Sequence, residues 1–214
     1  WCWRESGDPM TNHDLVYAWS KDHGKTWLNN DGLPVGLRGT RPVTLDTPGA
    51  RVVEIPMNRG LMNAMTQATD SRNQLHIITF HLPDTVPQQP DWITTRSKAR
   101  YFHYWRDSKG HWHRNEIDFI GSRPQLWFDK NDNAYFVFVG DRYHPSPPLS
   151  IAAASARNRW SDWKVIHKEP GKFSGQPQVD RYARPNVLSI YIQKTPNVLE
   201  TGFSPLHVMD FKAD

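Results

Sequence analysis

The sequence predicts an all-β protein, a β-propeller of four-stranded antiparallel blades, of which this chain covers about three and a half. Three observations lead to that prediction: one complete Asp-box motif, polar turns and strands that recur along the chain, and a composition typical of short strands joined by tight turns. Seventeen Pro and 13 Gly residues punctuate the chain. No long stretch has apolar residues at helical spacing, and the apolar run 149–156 is expected to be an inner strand.

The Asp box lies at residues 20–27, where Ser-Lys-Asp-His-Gly-Lys-Thr-Trp fits the pattern Ser-x-Asp-x-Gly-x-Thr-Trp in full. The carboxylate of Asp22 can accept hydrogen bonds from backbone N–H groups of a tight turn, and Gly24 can adopt the positive φ that the turn requires. The ring of Trp27 can fold back against the hairpin beneath. Such boxes lie between the third and fourth strands of propeller blades, so we interpret these residues as structural rather than catalytic.

A second pattern is an Asp-led polar turn that opens an apolar strand. It begins at Asp70 and Asp129, with a weaker copy at Asp180, so the spacings are 59 and 51 residues. Known propeller blades repeat every 40 to 50 residues or so. The strand and turn at 15–27 also recur as 100–112 and 149–163, where Trp ends each copy. The chain therefore repeats the order polar turn, strand, loop, strand, Asp-box-like turn and closing strand.

In this register the chain opens at Trp1 within the strand that precedes the first Asp box. An open array of blades would leave unpaired sheet edges, which propellers avoid by closing their ring. We therefore expect residues 1–214 to form one partial propeller domain, with the remaining blades in a preceding polypeptide or on another chain. The segment His81–Lys98, which contains three Pro, is expected to be a long loop between blade strands.

Composition and charge exclude several classes of function. The mean hydropathy of −0.71 excludes a membrane-spanning run, and the formal charge of +4 comes from dispersed residues rather than a basic tail. We therefore expect no membrane or nucleic-acid partner, whereas an acidic polysaccharide fits this mild positive charge.

Cys2 is the single cysteine, which excludes an internal disulfide and a cysteine-based zinc site. We expect no metal or cofactor, apart from calcium that the acidic turn 129–132 could bind weakly.

Several segments together resemble one known family. They are residues 3–6 and 12–15, then 61–63 with Gln67 and Asp70, then 103–107, 123–124 and 205–211. This set is similar to the propeller polysaccharide lyases with BNR repeats, among them the ulvan lyases of marine bacteria. The likeness covers nearly all 214 residues, but only the later half of such an enzyme.

The resemblance implies a secreted or periplasmic seven-bladed propeller that cleaves acidic polysaccharide by β-elimination next to a uronic acid. The family uses a His and a Tyr as base and acid, and Arg residues that pair with the uronate carboxylate. A cation held against that carboxylate stabilises the negative charge that develops when its α-carbon loses a proton. The family's principal His pair and Tyr lie in preceding blades, so they have no counterparts in this chain.

The resemblance and the strand pattern together select eight candidate site residues. Arg4 matches a family carboxylate-binding Arg, and His13 is a candidate substrate contact or auxiliary acid–base group. If the blades are related by symmetry, the side chains of Arg4, Arg123 and Arg184 would lie at one rim of the propeller axis. Together they would form a ring of positive charge. The predicted substrate-binding residues are Asn63, Gln67, His81, Tyr104, Arg123 and Arg184.

Each candidate also has a structural interpretation. Arg4 could pair with Glu5 or Asp14, and His13 could bind a turn backbone. His76 and His81 are five residues apart and face opposite sides of a regular strand, so only one could reach a binding face, and His81 is favoured.

Two further functions remain open. A sialidase-like glycoside hydrolase would use converging Arg residues with a Tyr nucleophile, and a non-catalytic glycan-binding propeller would need only the scaffold.

Overall fold

A computed structural model describes residues 1–63, 65–121, 123–140, 149–182, 186–195 and 204–213, with the side chain of Ser174 excepted. In these ranges the chain forms sixteen strands, one α-helix and two short 3₁₀ turns, at Pro9–Thr11 and Ala156–Asn158. The strands are β1 Cys2–Arg4, β2 Asn12–Val16, β3 Thr26–Leu28, β4 Pro34–Leu37, β5 Arg51–Val53, β6 Thr66–Thr69, β7 Leu75–His81, β8 Arg100–Arg106, β9 Trp112–Ile117, β10 Gln125–Phe128, β11 Ala134–Phe138, β12 Leu149–Ala154, β13 Lys164–Glu169, β14 Phe173–Asp180, β15 Val187–Lys194 and β16 Leu206–Lys212.

The strands form the sheets expected of propeller blades. Two sheets are four-stranded, with the orders β6-β7-β8-β9 and β10-β11-β12-β13. Three strands form the sheet β14-β15-β16, three more form β1-β2-β5, and β3 pairs with β4. Every pairing with a described register is antiparallel. The predicted β-propeller fold class, with four-stranded antiparallel blades, is confirmed.

The chain divides into two compact units. The first comprises Trp1–Asn63, Phe80–Ala99 and Arg106–His113, and the second comprises Ala64–Thr79, Arg100–Trp105 and Arg114–Asp214. In the first unit, β2 lies between β1 and β5 and is buried along its whole length. The register pairs Trp3 with His13 and Arg4 with Asn12.

In the second unit, the first strands of three successive sheets lie side by side. β6 contacts β10, and β10 contacts β14. The N–H of Leu126 donates to the hydroxyl of Thr66 at 3.0 Å, which ties β10 to β6. An apolar core of this unit is formed by Val137, Leu149, Ile151, Leu188 and Ile190, and side chains of β10, β14 and β16 pack against it. Contact between consecutive first strands is the arrangement that a propeller requires of its innermost strands.

The Asp-led turns have the geometry that the sequence predicts. In two of them, Asp70 and Asp129, one carboxylate oxygen accepts hydrogen bonds from the N–H groups two and four residues later, at 2.8–3.0 Å. Asp22 accepts from the N–H of Thr26 at 2.8 Å, and Gly24 has a φ of +80°. Trp27 is less enclosed than expected, since its side chain is exposed.

Two details of the prediction are corrected by the structure. The segment 81–98 does connect β7 to β8, but it ends in the helix α1, Trp92–Lys98, rather than remaining a loop throughout. Asp91 initiates this helix, because its carboxylate accepts from the N–H of Thr94 at 2.9 Å. The apolar run that begins at Leu149 is a strand as expected, but β12 is the third strand of its sheet rather than the innermost. Across the described ranges, no helix has the length and apolar character needed to cross a membrane.

Candidate functional site

Four ionisable side chains of the first unit meet at the start of β2, and we call them the His13 cluster: Glu5, His13, Asp14 and Arg51. His13 and Asp14 lie on β2 and are buried. Glu5 follows β1, and Arg51 begins β5, the strand that pairs with β2 on its other side. The side chains of Glu5 and Arg51 are 50% and 44% exposed, so the cluster extends from the sheet to solvent.

The imidazole of His13 lies between two carboxylates. Its Nε2 atom is 3.0 Å from Oε1 of Glu5, and its Nδ1 atom is 3.0 Å from Oδ2 of Asp14. A neutral imidazole has one N–H and can donate to only one of these oxygens, whereas the imidazolium donates to both. The hydrogen-bond geometry of the cluster therefore suits a histidine that carries a transferable proton.

Asp14 is held rigidly behind the imidazole. Its Oδ2 atom also lies 3.2 Å from Nε of Arg51, and its Oδ1 atom accepts from the N–H of Ile55 at 2.9 Å. In return, the N–H of Asp14 donates to the carbonyl of Ile55 at 2.9 Å. Asp14 has a φ of +51°, in the left-handed region that is unfavourable for most non-glycine residues. Such local strain is concentrated at functional sites, where surrounding bonds maintain it.

Arg4 forms no hydrogen bond or ion pair with this cluster. Its Nε atom donates to the carbonyl of Ser6 at 2.7 Å, and its Nη2 atom donates to the carbonyl of Gly7. Neither Glu5 nor Asp14, the two partners considered from the sequence, binds Arg4; Asp14 pairs with Arg51 instead. The guanidinium of Arg4 is exposed and stabilises the loop between β1 and β2.

Two other predicted site residues belong to the first unit. Asn63 is exposed. His81 is buried at the end of β7, where its Nδ1–H lies 2.7 Å from the carbonyl of Leu82 and donates to it. That hydrogen bond fixes Nδ1 as a protonated nitrogen of the ring.

The second unit contains Gln67, Tyr104 and Arg123. Gln67 lies exposed on β6, and its backbone carbonyl accepts a hydrogen bond from Arg181 at 3.0 Å. Arg123 is exposed and lies just before β10. Tyr104 is 2% exposed and its ring stacks near that of Phe102, with centroids 6.2 Å apart, so its burial favours a packing role.

Arg184 lies outside the described residues. The strands on either side of it in the chain, β14 and β15, are the first and second strands of their sheet. Arg123 instead precedes the first strand of its own sheet.

His76 and His103 form a buried pair in the second unit. Nδ1 of His76 lies 2.9 Å from Nε2 of His103, and both rings are fully buried. Desolvation lowers the pKa of His76 to about 4 and lowers that of His103 well below its ordinary value. Both rings are therefore neutral near pH 7, and the edge of Trp160 packs against His76 at 4.4 Å. The pair has a structural role.

The acidic side chains of the turn 129–132, where the sequence suggested weak calcium binding, accept hydrogen bonds within the chain. The carboxylate of Asp129 accepts from two N–H groups, from the amide of Asn133 and from the hydroxyl of Tyr135. Asp132 accepts from both the N–H and the hydroxyl of Ser71 at 2.7 Å. No group of three or more His, Cys, Asp or Glu side chains suitable for a metal ion occurs in the described part of the chain.

The sequence analysis missed Glu5, Asp14 and Arg51 as parts of the His13 cluster. Glu5 and Asp14 lie within the segments 3–6 and 12–15 that resemble the lyase family, but they were considered only as partners for Arg4. Nothing in the sequence indicates that Arg51 belongs to the cluster. Arg51 contacts Asp14 only because β5 pairs with β2, and strand pairing is a property of the tertiary structure.

Comparisons with known proteins identify the family to which this chain belongs. Residues 1–119 match the family described as BNR repeat-containing family member. The whole chain aligns with a crystal structure of polysaccharide lyase Uly1 at a TM-score of 0.60 and 15% sequence identity, and the alignment covers 42% of that chain. No curated protein matches the sequence. The structural likeness establishes the propeller fold, and the family match extends over more than half of the residues. This chain therefore belongs to the BNR repeat-containing family.

Proposed function

We propose that this protein is a lyase that cleaves a uronate-containing, ulvan-like acidic polysaccharide by β-elimination, with His13 as the proton donor. The observation that carries the proposal is the position of the His13 imidazole between Asp14 and Glu5, 3.0 Å from each. The shared fold with a polysaccharide lyase and the net charge of +4 support it.

In this reaction a base removes the proton on the α-carbon of the uronate, and the electron pair forms a carbon–carbon double bond. The glycosidic bond at the neighbouring β-carbon breaks, and its oxygen leaves with the bonding electrons. We assign to His13 the proton that this oxygen receives. Asp14 holds the imidazole by its Nδ1 atom, and the half-exposed side chain of Glu5 must move for the leaving oxygen to reach Nε2.

The uronate carboxylate requires a cation, and Arg51 is placed to provide one. Only its Nε atom is engaged, by Asp14, and its Nη atoms form no hydrogen bond within the described ranges. A guanidinium binds a carboxylate through two parallel hydrogen bonds and stabilises the charge that develops on it. We propose Arg51 for this role and Arg4, which is bound to two backbone carbonyls, as a second cation.

The same proposal extends to the other predicted site residues, to the remaining blades and to the location of the protein. Asn63, Gln67 and Arg123 remain proposed substrate-binding residues, whereas the burial of His81 and Tyr104 counts against direct contact. We propose that further blades, on a preceding polypeptide or another chain, complete the ring. By the same resemblance, we propose that the protein is secreted or periplasmic.

The test measures the ultraviolet absorbance of the unsaturated uronate product while the protein acts on ulvan. We expect His13→Gln to lower the rate on the order of a hundredfold or more, because general acid catalysis contributes about that much. His23→Asn is the matched control, since His23 is exposed and lies in the turn at 20–27. Thermal melting of both variants verifies that they are folded.

An undiminished rate in folded His13→Gln would remove His13 from the mechanism. New reducing ends without absorbance would indicate a hydrolase, and retention of ulvan without cleavage would indicate a glycan-binding propeller.

A further inference from the structure

A groove of about 460 Å³ opens on the surface of the first unit. Its walls include Trp1, Trp27, Leu37, Arg38, Arg41 and Val43. Three large apolar side chains face it while remaining substantially exposed: Trp1 at 44%, Trp27 at 37% and Leu37 at 46%. Small-ligand sites typically have volumes of about 300–1,000 Å³, so one or two sugar rings fit this groove.

The shape of the groove is fixed by the backbone around the β3–β4 hairpin. After β4 the chain reverses at once, with paired hydrogen bonds of 2.7 and 2.9 Å between Leu37 and Arg41. Gly36 permits the close return, since a Cβ atom there would lie 2.7 Å from Val43 and 3.1 Å from Cβ of Trp27. The reversal therefore brings Arg38 and Arg41 into the same groove as the exposed Trp27.

The two arginines have few competing partners. The guanidinium of Arg38 forms no hydrogen bond or ion pair within the described ranges, and Arg41 has one long hydrogen bond, 3.4 Å, to the carbonyl of Pro34. Among the residues that the structure describes, no carboxylate lines the groove. Planar guanidinium groups bind sulfate or carboxylate bidentately, and the flat face of an indole packs against an apolar sugar face.

The groove and the His13 imidazole lie towards opposite ends of the β1–β2 pair. Trp1 exchanges backbone hydrogen bonds with Val16 at 2.7 and 2.9 Å, whereas Arg4 pairs with Asn12 at the other end. Three residues of strand separate the two ends by roughly 10 Å.

We propose that this groove is a binding site for an anionic sugar, with Trp27 as the stacking platform and Arg38 and Arg41 as the ligands of a sulfate or carboxylate group. That the ligand is a sugar rests on the proposed function. That it is anionic and can stack on an indole ring follows from the residues that line the groove. The site would hold a polysaccharide chain independently of the proton transfer at His13.

The test is titration calorimetry of the 214-residue chain with a purified sulfated ulvan tetrasaccharide. We expect saturable binding that Arg38→Gln with Arg41→Gln weakens at least tenfold. Leu37→Glu, which places a carboxylate in the groove at an exposed position, should abolish it. Arg157→Gln is the matched control, because it removes one exposed positive charge from the second unit.

Equal affinity in the wild type and the double arginine variant would overturn the proposal, as would absence of binding to the wild type. Inorganic sulfate that binds as tightly as the tetrasaccharide would also overturn it, because the groove would then recognise an anion and not a sugar.

His13→Gln separates this proposal from the proposed function. That variant should keep the affinity of the groove while it loses cleavage. A protein that binds the tetrasaccharide through Arg38 and Arg41 but never cleaves ulvan would refute the lyase and retain the groove.

Discussion

Acidification should destabilise the fold through the buried pair His76 and His103. Both rings are fully buried, and burial favours their neutral forms, so the unfolded chain binds protons that the folded chain excludes. A histidine whose folded pKa is lowered stabilises the fold above its unfolded pKa of 6.5. This stabilisation is lost as the pH falls from 6.5 towards the folded value of about 4.

The size of the effect follows from the pKa of His76. With an unfolded value of 6.5 and a folded value of about 4, lowering the pH from about 7 to about 5 reduces the free energy of unfolding by about 2 kcal/mol. Asp70, whose carboxylate lies 3.9 Å from Nε2 of His76, and Asp132 favour the charged form, whereas Arg72 opposes it. His103 adds to the loss in the same direction. For a chain of this size, 2 kcal/mol corresponds to a decrease of about 4–8 °C in Tm.

The assay compares urea unfolding and thermal melting at several pH values between neutral and acidic conditions for the wild type and for His76→Phe with His103→Phe. The double variant keeps two stacked rings and removes both polar partners together, so neither is left unpaired. We expect the free energy of unfolding of the double variant to depend less on pH than that of the wild type, by at least the contribution of His76. His23→Asn, which removes an exposed histidine, should keep the dependence of the wild type.

Identical losses of stability on acidification in the wild type and the double variant would refute the reasoning. The buried pair would then not be neutral in the folded chain, or its protons would not be linked to unfolding.

Two further predictions concern the blades themselves. Gly121→Ala should lower the free energy of unfolding by about 1–3 kcal/mol in urea titrations, because a Cβ atom would meet the ring of Phe138 and lie 2.6 Å from the carbonyl oxygen of Val139. Gly7→Ala, with open space around its Cβ position, is the control that should change little. Asp22→Ala should lower Tm at neutral pH, since hydrogen bonds to its carboxylate lower its pKa to about 2. That stabilisation is lost as the pH falls from about 4 towards 2, so wild type and variant should converge there; a constant difference would contradict the assigned turn role.

The blade pattern could be predicted from local chemistry. Asp70 and Asp129 each bind N–H groups two and four residues later, so the whole interaction lies within five consecutive residues. Such turns are specified by the residues that form them, and their spacing gives the repeat. Helix α1 was missed because a seven-residue helix initiated by Asp91 is too short to give an apolar periodicity.

The sequence by itself determined the fold class, the family resemblance and the structural role of Asp22, because these depend on residues close together in the chain. The tertiary structure decided that Arg51 rather than Arg4 pairs with Asp14, that His76 and His103 are buried together, and that Trp27 lines a groove with two arginines. Those contacts join residues 11 to 37 positions apart, and they depend on strand pairing and on how closely the backbone can return at Gly36. Burial and partner choice at such distances are set by packing, which a local pattern of residues does not encode.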